Sequence, residues 1–466
     1  MIFSSMAYIV MLSVAIAGVA IFRTNRSRKI WLLMCSAYFY ACWDARFLLL
    51  LALLTGANHA VALAVSRPPT RHASRWLRLG ICFNVTILVV FKYYDFFMSG
   101  LTDIIAFTGT SLPLLHLILP VGISFMIFEV ISYLIDVSKG ECEPAPSLLD
   151  LGLLVAFFPH LIAGPILKPR HFLPQLQGPI TVTRNGLDRG AQIFVLGLLK
   201  KLLVADRLAP FCDQVFAEPS MWTSGTVWLA VIAYAFQIYC DFSGYSDMAI
   251  GSACMLGFDL PYNFRSPYVA LNIAEFWRRW HISLSTWFRE YLYFSLGGNR
   301  RGVARQYANL MLVMLLCGLW HGANWTFVLW GGLHGLGLIA HRAWGRCVRV
   351  PASGPQVLLN SVNWVLTMLF VAFTWVVFRC QHVDSIGIVM RKMLLLGPTG
   401  GVAWYATALL VIAPVFAVAH YVGSRRPDYP RLDLGSWRGQ VCAVFVLLGI
   451  LYFAPDNTSP FIYFQF

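Results

Sequence analysis

The chain has 466 residues, of which 58% are hydrophobic and only 12% are charged. This charged fraction is about half of that in soluble domains, so the composition excludes an ordinary soluble protein and predicts a polytopic integral membrane protein. The formal net charge of +14 does not indicate nucleic-acid binding, because the basic residues form short clusters between apolar runs, where they report membrane orientation.

The first apolar run, MIFSSMAYIVMLSVAIAGVAIF, lacks a basic leader region and a clear cleavage site, so we interpret it as a retained span. The basic segments 23–29 and 67–78 are expected in the cytoplasm, with a helical hairpin between them. Further spans are expected near 79–97 and 114–136. The 11 cysteines are scattered without a CxxC pair, which argues against a metal ribbon or a redox motif.

The middle of the chain is less regular. FFPHLIAGPILKPRHF (157–172) carries three prolines and a glycine, and it predicts a broken or re-entrant segment that is buried in protein or lines a wet cavity. We expect the later apolar runs to be helices near 187–208, 226–256, 306–321, 324–341, 357–379, 402–423 and 438–455.

The total is about eleven transmembrane helices with one or two re-entrant or interfacial pieces, and no duplicated halves of the kind found in many secondary transporters. The basic loops 342–349 and 425–431 are expected inside and both termini outside. We predict one integral membrane domain over 1–466, with a motif-rich core at about 120–345 and C-terminal spans at about 357–455.

The tract EFWRRWHISLSTWFREYLY (275–293) carries large apolar residues at every third or fourth position. This spacing predicts one amphipathic helix that lies along the membrane interface. Arg278, Arg279 and Arg289 make a full span unfavourable. His281 falls at the border of the polar and apolar faces, where an interfacial side chain satisfied by its neighbours is the alternative to a functional group.

Two carboxylates, Asp241 and Asp247, stand in the apolar segment YCDFSGYSDMAIG. Carboxylates at membrane depth are functional candidates and commonly pair with a basic residue, for which Arg278 and Arg279 are the candidates here. The alternative is a structural ion pair that holds a bent helix. Two turn motifs follow, NFRSPY (263–268) and the basic, Gly-rich GGNRRG; the second is able to lie against phosphates but lacks the strand–loop–helix setting of a P-loop.

His321 ends a long apolar run in CGLWHGANW. A histidine there is either hydrogen-bonded for structure or used in chemistry. Gly318 and Gly322 leave room for close approach, and Trp320 and Trp325 flank the imidazole. Because histidine exchanges a proton near neutral pH, a general base is one interpretation of this site.

A second pair of histidines, His334 and His341, lies seven residues apart and shares a helical face. Metal ligation by His281, His321 and His334 is an alternative, but neither an HxxxH pattern nor a Cys or Asp set supports it. We therefore predict no metal site. The sequence also has no GxSxG elbow for a serine nucleophile.

Together, EFWRRWHISLSTWFREYLYFSLGGNR and NLMLVMLLCGLWHGANWTFVLWGGLHG resemble the core of the membrane-bound O-acyltransferase family, and within it the alginate O-acetyltransferase branch. The start MIFSS, the segments FFPHLIAGPI and YCDFSGYSDMAIG, and the end FIYFQF extend the resemblance over nearly the whole chain. One departure is visible, since the branch often has Gln where this chain has His160.

The resemblance implies a ring of tilted helices around a tunnel in the bacterial inner membrane, surrounded by the lipid bilayer. It implies acyl transfer to a hydroxyl, with His321 and His281 as catalytic residues. It also implies an extracytoplasmic polysaccharide acceptor and periplasmic acetyltransferase-like partner proteins. No cofactor is expected to bind tightly. Acetyl-CoA is the expected donor, and the basic side chains of Arg300 and Arg301 are expected to attract this anionic molecule. The expected supporting residues are Asp241, Asp247, Glu275, Trp277, Arg278, Arg279, Trp320 and Asn324.

Three other functions stay open on the sequence. D-alanyl transfer to teichoic acid shares both histidine motifs, a transporter or flippase would move an acyl group or lipid-linked sugar without chemistry, and a scaffold for a polysaccharide synthase would not need the histidines. The acceptor polymer is also open, with alginate, cellulose, another exopolysaccharide, peptidoglycan and a soluble partner as the candidates.

Overall fold

A computed structural model describes residues 1–66, 71–105, 107, 111–162, 164–347, 355–426, 428–453 and 461–462. Regular secondary structure in these residues is helical, apart from an isolated parallel bridge between Trp222 and Val402. Two compact units are present. The first comprises Met1–Val195 and Ser246–Pro261, and the second comprises Leu196–Tyr245 and Tyr262–Phe466.

The first unit has a core of aromatic rings. The ring of Tyr8 lies 4.6 Å from that of Phe3, 6.0 Å from that of Phe158 and 6.2 Å from that of Phe194, and its hydroxyl donates to Ser252. The unit's helices are α1 (Met6–Ile21), α2 (Asn25–Asp44), α3 (Phe47–Val65), α4 (Arg71–Leu88), α5 (Tyr94–Ile104), α6 (Ile123–Lys139), α7 (Leu148–Ala156), α8 (Pro169–Gln177) and most of α9 (Arg184–Leu199).

The second unit is built on the helices that follow, of which α14 and α15 form a tightly packed antiparallel pair. Its helices are α10 (Asp206–Ala217), most of α11 (Ser224–Met255), α12 (Ile273–Arg279), α13 (Ile282–Trp287), α14 (Val303–His321), α15 (Trp325–Cys347), α16 (Gln356–Arg379), α17 (Val383–Met393), α18 (Leu409–Arg425) and α19 (Trp437–Phe453). π-Helical turns precede α5 and α10 and follow α13.

Several helices have the length and apolar composition of membrane spans. Five such segments occur in the described residues: Phe47–Val65, His72–Ile104, Ser224–Met255, Val303–His321 and Gln356–Arg379. Three shorter apolar helices accompany them: Met6–Ile21, Leu409–Arg425 and Trp437–Ile450. The prediction of an all-α polytopic membrane protein is therefore confirmed. The count of about eleven spans, the ring and the tunnel stay predictions.

The orientation of the loops and the single domain over 1–466 also stay predictions. Parts of the predicted cytoplasmic loops, residues 67–70, 348–349 and 427, lie outside the described residues, as do 454–455 of the last predicted span and the terminal residues 463–466.

The predicted span at 114–136 begins too early. Residues 111–120 have no regular secondary structure, and α6 starts only at Ile123. Prolines at positions 113 and 120 interrupt helical hydrogen bonding there. The carboxylate of Asp95 accepts the backbone N–H groups of Leu115 and His116 at 2.7 and 2.9 Å, so these two donors are satisfied without a helix.

The segment 157–172 is irregular and buried, as its prolines predict. Its described residues 157–162 and 164–168 form turns and extended backbone before α8 begins at Pro169. His160 Nε2 donates to the carbonyl of Leu154 at 3.1 Å, while Nδ1 lies 3.2 Å from Glu129 Oε1, which also accepts the N–H of Leu167 at 3.0 Å. These contacts give His160 a structural role.

The prediction of one continuous helix over 275–293 was wrong. The tract forms two short helices, α12 and α13, which are interrupted where His281 adopts a left-handed conformation with φ +41°. His281 is fully buried and does not lie at the border of two faces, whereas Arg278 and Arg289 are exposed. The backbone N–H of Ile282 donates to the carbonyl of Asn263 at 2.9 Å, which fixes the break from outside the tract.

Candidate functional site

The site is centred on His321, the last residue of α14. Its side chain is buried, with 4% of the residue exposed. Aromatic rings from three helices surround the imidazole: Trp320 from α14 and Trp330 from α15, each with ring centroids 5.1 Å away, and Phe378 from α16 at 5.4 Å. These rings exclude water and lower the local dielectric around the imidazole.

Glycines bring α14 and α15 together at this point. A methyl group at Gly318 would overlap the carbonyl oxygen of Phe327, and one at Gly331 would overlap that of Met314. A side chain at Gly322 would meet the ring of Phe327. We expected Gly318 and Gly322 to leave room for a substrate. That expectation was wrong, because α15 itself occupies the space beside both glycines.

Asn324 fixes the corner that follows His321. Its Oδ1 accepts the N–H of Thr326 at 3.0 Å in the first turn of α15, where backbone donors otherwise lack partners. Its Nδ2 donates to the carbonyl of Gln381 at 3.1 Å, just beyond α16. Asn324 therefore supports the site by holding the backbone.

We predict that Gly318→Ala destabilises the protein, because the added methyl group pushes α15 away from α14. Overpacking of this kind costs about 1–3 kcal/mol. The matched control is Gly332→Ala, also in this helix pair, where the new methyl group would meet Leu315 Cδ2 at an ordinary 3.5 Å. Thermal unfolding of the detergent-solubilised variants measures both. Equal unfolding temperatures for Gly318→Ala and wild type would contradict the close packing.

His281 is held by a side-chain clamp. Asn263 Oδ1 accepts from Ser283 N at 3.2 Å, Ser283 Oγ at 2.9 Å and His281 Nδ1 at 3.1 Å. Because a backbone N–H only donates, the Asn263 atom that it meets must be the oxygen. His281 Nδ1 therefore carries the proton, and Nε2 of the neutral ring is an acceptor.

The two predicted catalytic histidines contact the same indole. The ring centroid of Trp320 is 5.1 Å from that of His321 and 5.9 Å from that of His281. The ring centroid of Phe242 is 4.6 Å from that of His281. The structure thus brings His281, His321 and Trp320 into one site, while their catalytic roles stay predictions.

A third histidine extends the site. Trp277 Nε1 donates to His334 Nδ1 at 3.2 Å, and Trp330 lies between His334, with ring centroids 4.7 Å away, and His321. Trp277 is therefore linked to the site by its hydrogen bond to His334, while its supporting role stays a prediction. No set of three His, Cys, Asp or Glu side chains in the described residues is arranged to hold a metal ion.

Asp241 belongs to a separate buried ion cluster. Lys201 Nζ lies 2.6 Å from Asp241 Oδ1 and 2.8 Å from Asp206 Oδ1, and Asp241 Oδ2 accepts the N–H of Ile462 at 2.8 Å. The prediction that Arg278 or Arg279 pairs with Asp241 was therefore wrong. Lys201 is on the π-helical turn before α10, 40 residues from Asp241, so sequence proximity gave no signal for the pair.

Three predicted supporting residues, Glu275, Arg278 and Arg279, are part of α12, where they stabilise the helix or lie on its surface. Glu275 Oε1 pairs with Arg279 Nη2 at 2.8 Å, and Glu275 Oε2 accepts the N–H of Leu271 at 3.0 Å. Arg279 also donates to the carbonyl of Arg265 at 3.1 Å. The side chain of Arg278 is exposed.

Three further predicted residues belong to segments other than the helices that carry His321 and its aromatic neighbours. Arg300 and Arg301 are exposed on a turn between Gly297 and Gly302, which have φ +94° and +85°. Asp247 is buried and belongs to the first unit.

Sequence reasoning missed the residues that hold the histidines. Asn263 was seen only as part of a turn motif, Ser283 was not singled out, and Trp330 was not named. His334 was noted for its spacing from His341, but nothing local linked it to Trp277. The available signal was weak: polar side chains next to tryptophans in segments that are otherwise apolar.

Comparison with known proteins places this geometry in a family. The sequence profile of MBOAT, the membrane-bound O-acyltransferase family, matches residues 144–382. The chain is 40% identical over 494 aligned positions to the probable alginate O-acetylase AlgI of Pseudomonas putida, with 100% of both chains covered. It is also 40% identical over 394 positions to a peptidoglycan O-acetyltransferase of Helicobacter pylori, covering 78% of this chain and 73% of that protein.

A more distant relative is a teichoic acid D-alanyltransferase of Bacillus subtilis, which is 25% identical over 305 positions, covering 62% of this chain and 76% of that protein. A buried histidine at the end of an apolar helix, the polytopic helical fold and the profile match over more than half of the chain agree. The chain belongs to the membrane-bound O-acyltransferase family.

Proposed function

We propose that this enzyme transfers an acetyl group from acetyl-CoA, bound from the cytoplasmic side, to hydroxyls of an extracytoplasmic polysaccharide such as alginate or another exopolysaccharide. The observation that carries the proposal is the pair of buried imidazoles, His321 and His281, that both contact Trp320. Acetyl rather than D-alanyl transfer is favoured because two relatives named for O-acetylation are 40% identical, against 25% for a D-alanyltransferase.

His321 acts as the general base in the proposed reaction. The hydroxyl oxygen of the acceptor attacks the thioester carbonyl carbon, and its proton passes to the imidazole of His321. The new C–O bond forms first and leaves the carbonyl oxygen negative. The carbonyl double bond then reforms as the C–S bond breaks, and the CoA thiolate leaves with the proton that His321 took up. No covalent enzyme intermediate is required, so the site needs a base but no nucleophile.

His281 positions the acceptor. Its Nδ1–H is held by Asn263 Oδ1 at 3.1 Å, so Nε2 presents a lone pair that is able to accept a hydrogen bond from an acceptor hydroxyl. Trp320 fixes the spacing between this acceptor and the base, with its ring in contact with both imidazoles. Holding the hydroxyl against the base supplies part of the rate acceleration through orientation.

The aromatic wall protects the thioester. Trp320, Trp330 and Phe378 surround His321 and keep bulk water from it, which limits hydrolysis of the donor as a side reaction. In the proposed cellular setting, the enzyme lies in the bacterial inner membrane and works with periplasmic acetyltransferase-like proteins. Arg300 and Arg301, on an exposed basic turn, attract the anionic CoA by long-range electrostatics.

The proposal predicts that the donor is acetyl-CoA and is used from the cytoplasmic face. Inside-out membrane vesicles that contain the enzyme are given radiolabelled acetyl-CoA or a D-alanyl-loaded carrier protein, with polysaccharide enclosed. Label should enter the polymer from acetyl-CoA alone, and right-side-out vesicles with external acetyl-CoA should give none.

Labelling from the D-alanyl carrier alone would replace this proposal with aminoacyl transfer. Delivery of an unmodified sugar or acyl group, without label bound to the polymer, would replace it with transport.

A further inference from the structure

We infer that Trp330 and His334 donate hydrogen bonds to the carbonyl oxygen of the acyl group during transfer. The inference rests on the proposed function and adds to it, since it assigns two groups that bind the reacting acyl oxygen, whereas His321 acts on the hydroxyl proton.

The tautomer of His334 follows from its contact with Trp277. An indole N–H only donates, so His334 Nδ1, 3.2 Å from Trp277 Nε1, must accept. In the neutral ring the proton then lies on Nε2. His334 cannot take up a second proton without breaking the bond from Trp277, so it serves as a donor and not as a base.

Two N–H groups in this cluster lack a protein acceptor. His334 Nε2 and Trp330 Nε1 are buried, with residue exposures of 0% and 1%, and neither finds an acceptor among the residues that the structure describes. Native proteins pair nearly all buried donors, and those left over require an explanation. Here the two donors belong to neighbouring rings, with centroids 4.7 Å apart.

The same rings lead directly to the predicted base. Trp330 meets His321 edge to face, with centroids 5.1 Å apart and planes at 90°, and Phe378 contacts both rings at 5.2 and 5.4 Å. The donors, the base and their aromatic surroundings therefore belong to one buried cluster within the second unit. A ligand that reaches His321 enters the surroundings of Trp330.

The chemistry of acyl transfer explains why such donors would be kept. When the hydroxyl oxygen attacks, the carbonyl π electrons move onto the carbonyl oxygen, which becomes negative until the C–S bond breaks and the double bond reforms. Fixed N–H donors in a site without water stabilise that charge, and loss of one such donor typically lowers kcat about 10²–10³-fold. Both N–H groups are neutral, so they give up no proton.

The first test removes each donor while keeping the ring or the neighbouring contact. Trp330→Phe deletes Nε1–H. His334→Asn keeps an acceptor near the Nδ1 position for Trp277 but no N–H near Nε2, and His334→Gln places an amide N–H near Nε2. We expect Trp330→Phe and His334→Asn to lower kcat about 10²–10³-fold, and His334→Gln to recover part of the loss. Trp344→Phe, on the same helix and 63% exposed, is the control with unchanged activity.

The second test asks whether the donors recognise a carbonyl group. Binding to the purified enzyme is compared for S-ethyl-CoA, which has no carbonyl, and for the ketone analogue of acetyl-CoA, in which a CH2 group replaces the thioester sulfur so that no leaving group remains. Wild type should prefer the analogue that has the carbonyl, and Trp330→Phe and His334→Asn should lose this preference, which a purely structural role would not alter.

Different results would contradict the proposed function and the inference about Trp330 and His334. A wild-type enzyme that transfers no acetyl group from acetyl-CoA would overturn the proposed function and this inference together. An active wild type, with wild-type kcat and an unchanged carbonyl preference in both donor variants, would overturn the inference alone. The same result would assign the two N–H groups to bound water.

Discussion

Replacement of His321 by alanine is expected to nearly abolish acetylation of the polymer while the protein stays folded and inserted. A positioned general base contributes about 10²–10⁴-fold in rate, or roughly 3–5 kcal/mol of barrier. His321→Gln should recover little activity, because an amide keeps a hydrogen-bonding group but cannot take up the proton. The measurement is the acetyl content of the polymer in cells that express each variant at matched membrane levels.

A control separates the base from the general effect of losing a buried imidazole. His420 is also buried and packs on Phe416 and Tyr239, with ring centroids 4.1 and 4.7 Å away. His420→Gln should keep most of the acetylation at matched protein level. Near-normal acetylation by His321→Gln would show that His321 is structural, and the transporter and scaffold alternatives would then regain weight.

Lys201→Met is expected to prevent stable folding. The Lys201 ammonium lies between the carboxylates of Asp206 and Asp241, and the side chains of all three are at most 3% exposed. Removal of the cation leaves two carboxylates buried without a countercharge, and breaking a buried pair in this way costs roughly 3–5 kcal/mol. The yield of monodisperse protein after detergent extraction and its unfolding temperature measure the effect.

The matched control neutralises the whole cluster. Lys201→Met combined with Asp206→Asn and Asp241→Asn has no buried charge at these positions, and such replacements are often tolerated. The triple variant should therefore recover most of the yield, and its acetylation per folded molecule then reports whether Asp241 has any role beyond stability. A stable Lys201→Met single variant would show that the cluster does not support the fold.

The fold class followed from composition because burial in a membrane demands long apolar helices, and those runs are visible without any tertiary information. Local periodicity failed at 275–293 for a physical reason. The apolar spacing is indeed helical on both sides of His281, but Asn263, 18 residues upstream, binds the backbone and side chains around the break. A contact over that distance leaves no trace in the period of the tract.

Part of the candidate site was also predicted from the sequence. His321 was identified because a histidine in apolar surroundings is costly, and His281 was identified through the family resemblance; the structure places both in contact with Trp320. The partner of Asp241 was missed because sequence separation does not distinguish the candidates: Arg278 is 37 residues from Asp241 and Lys201 is 40. Lys201 lies instead on a π-helical turn, where its distance from Asp241 depends on helix packing alone.

The backbone corner that carries His321 is held rigidly, and this rigidity affects how substrate binding energy is used. Gly318 locks α14 against α15, and Asn324 ties the start of α15 to the carbonyl of Gln381. The backbone that carries the imidazole is therefore already ordered, and it loses little conformational entropy when substrates bind. Preorganisation of this kind means that little binding energy is diverted into ordering the base. Motion that admits donor and acceptor is therefore expected in other segments, so mutations that loosen this corner should slow the chemical step more than they weaken substrate binding.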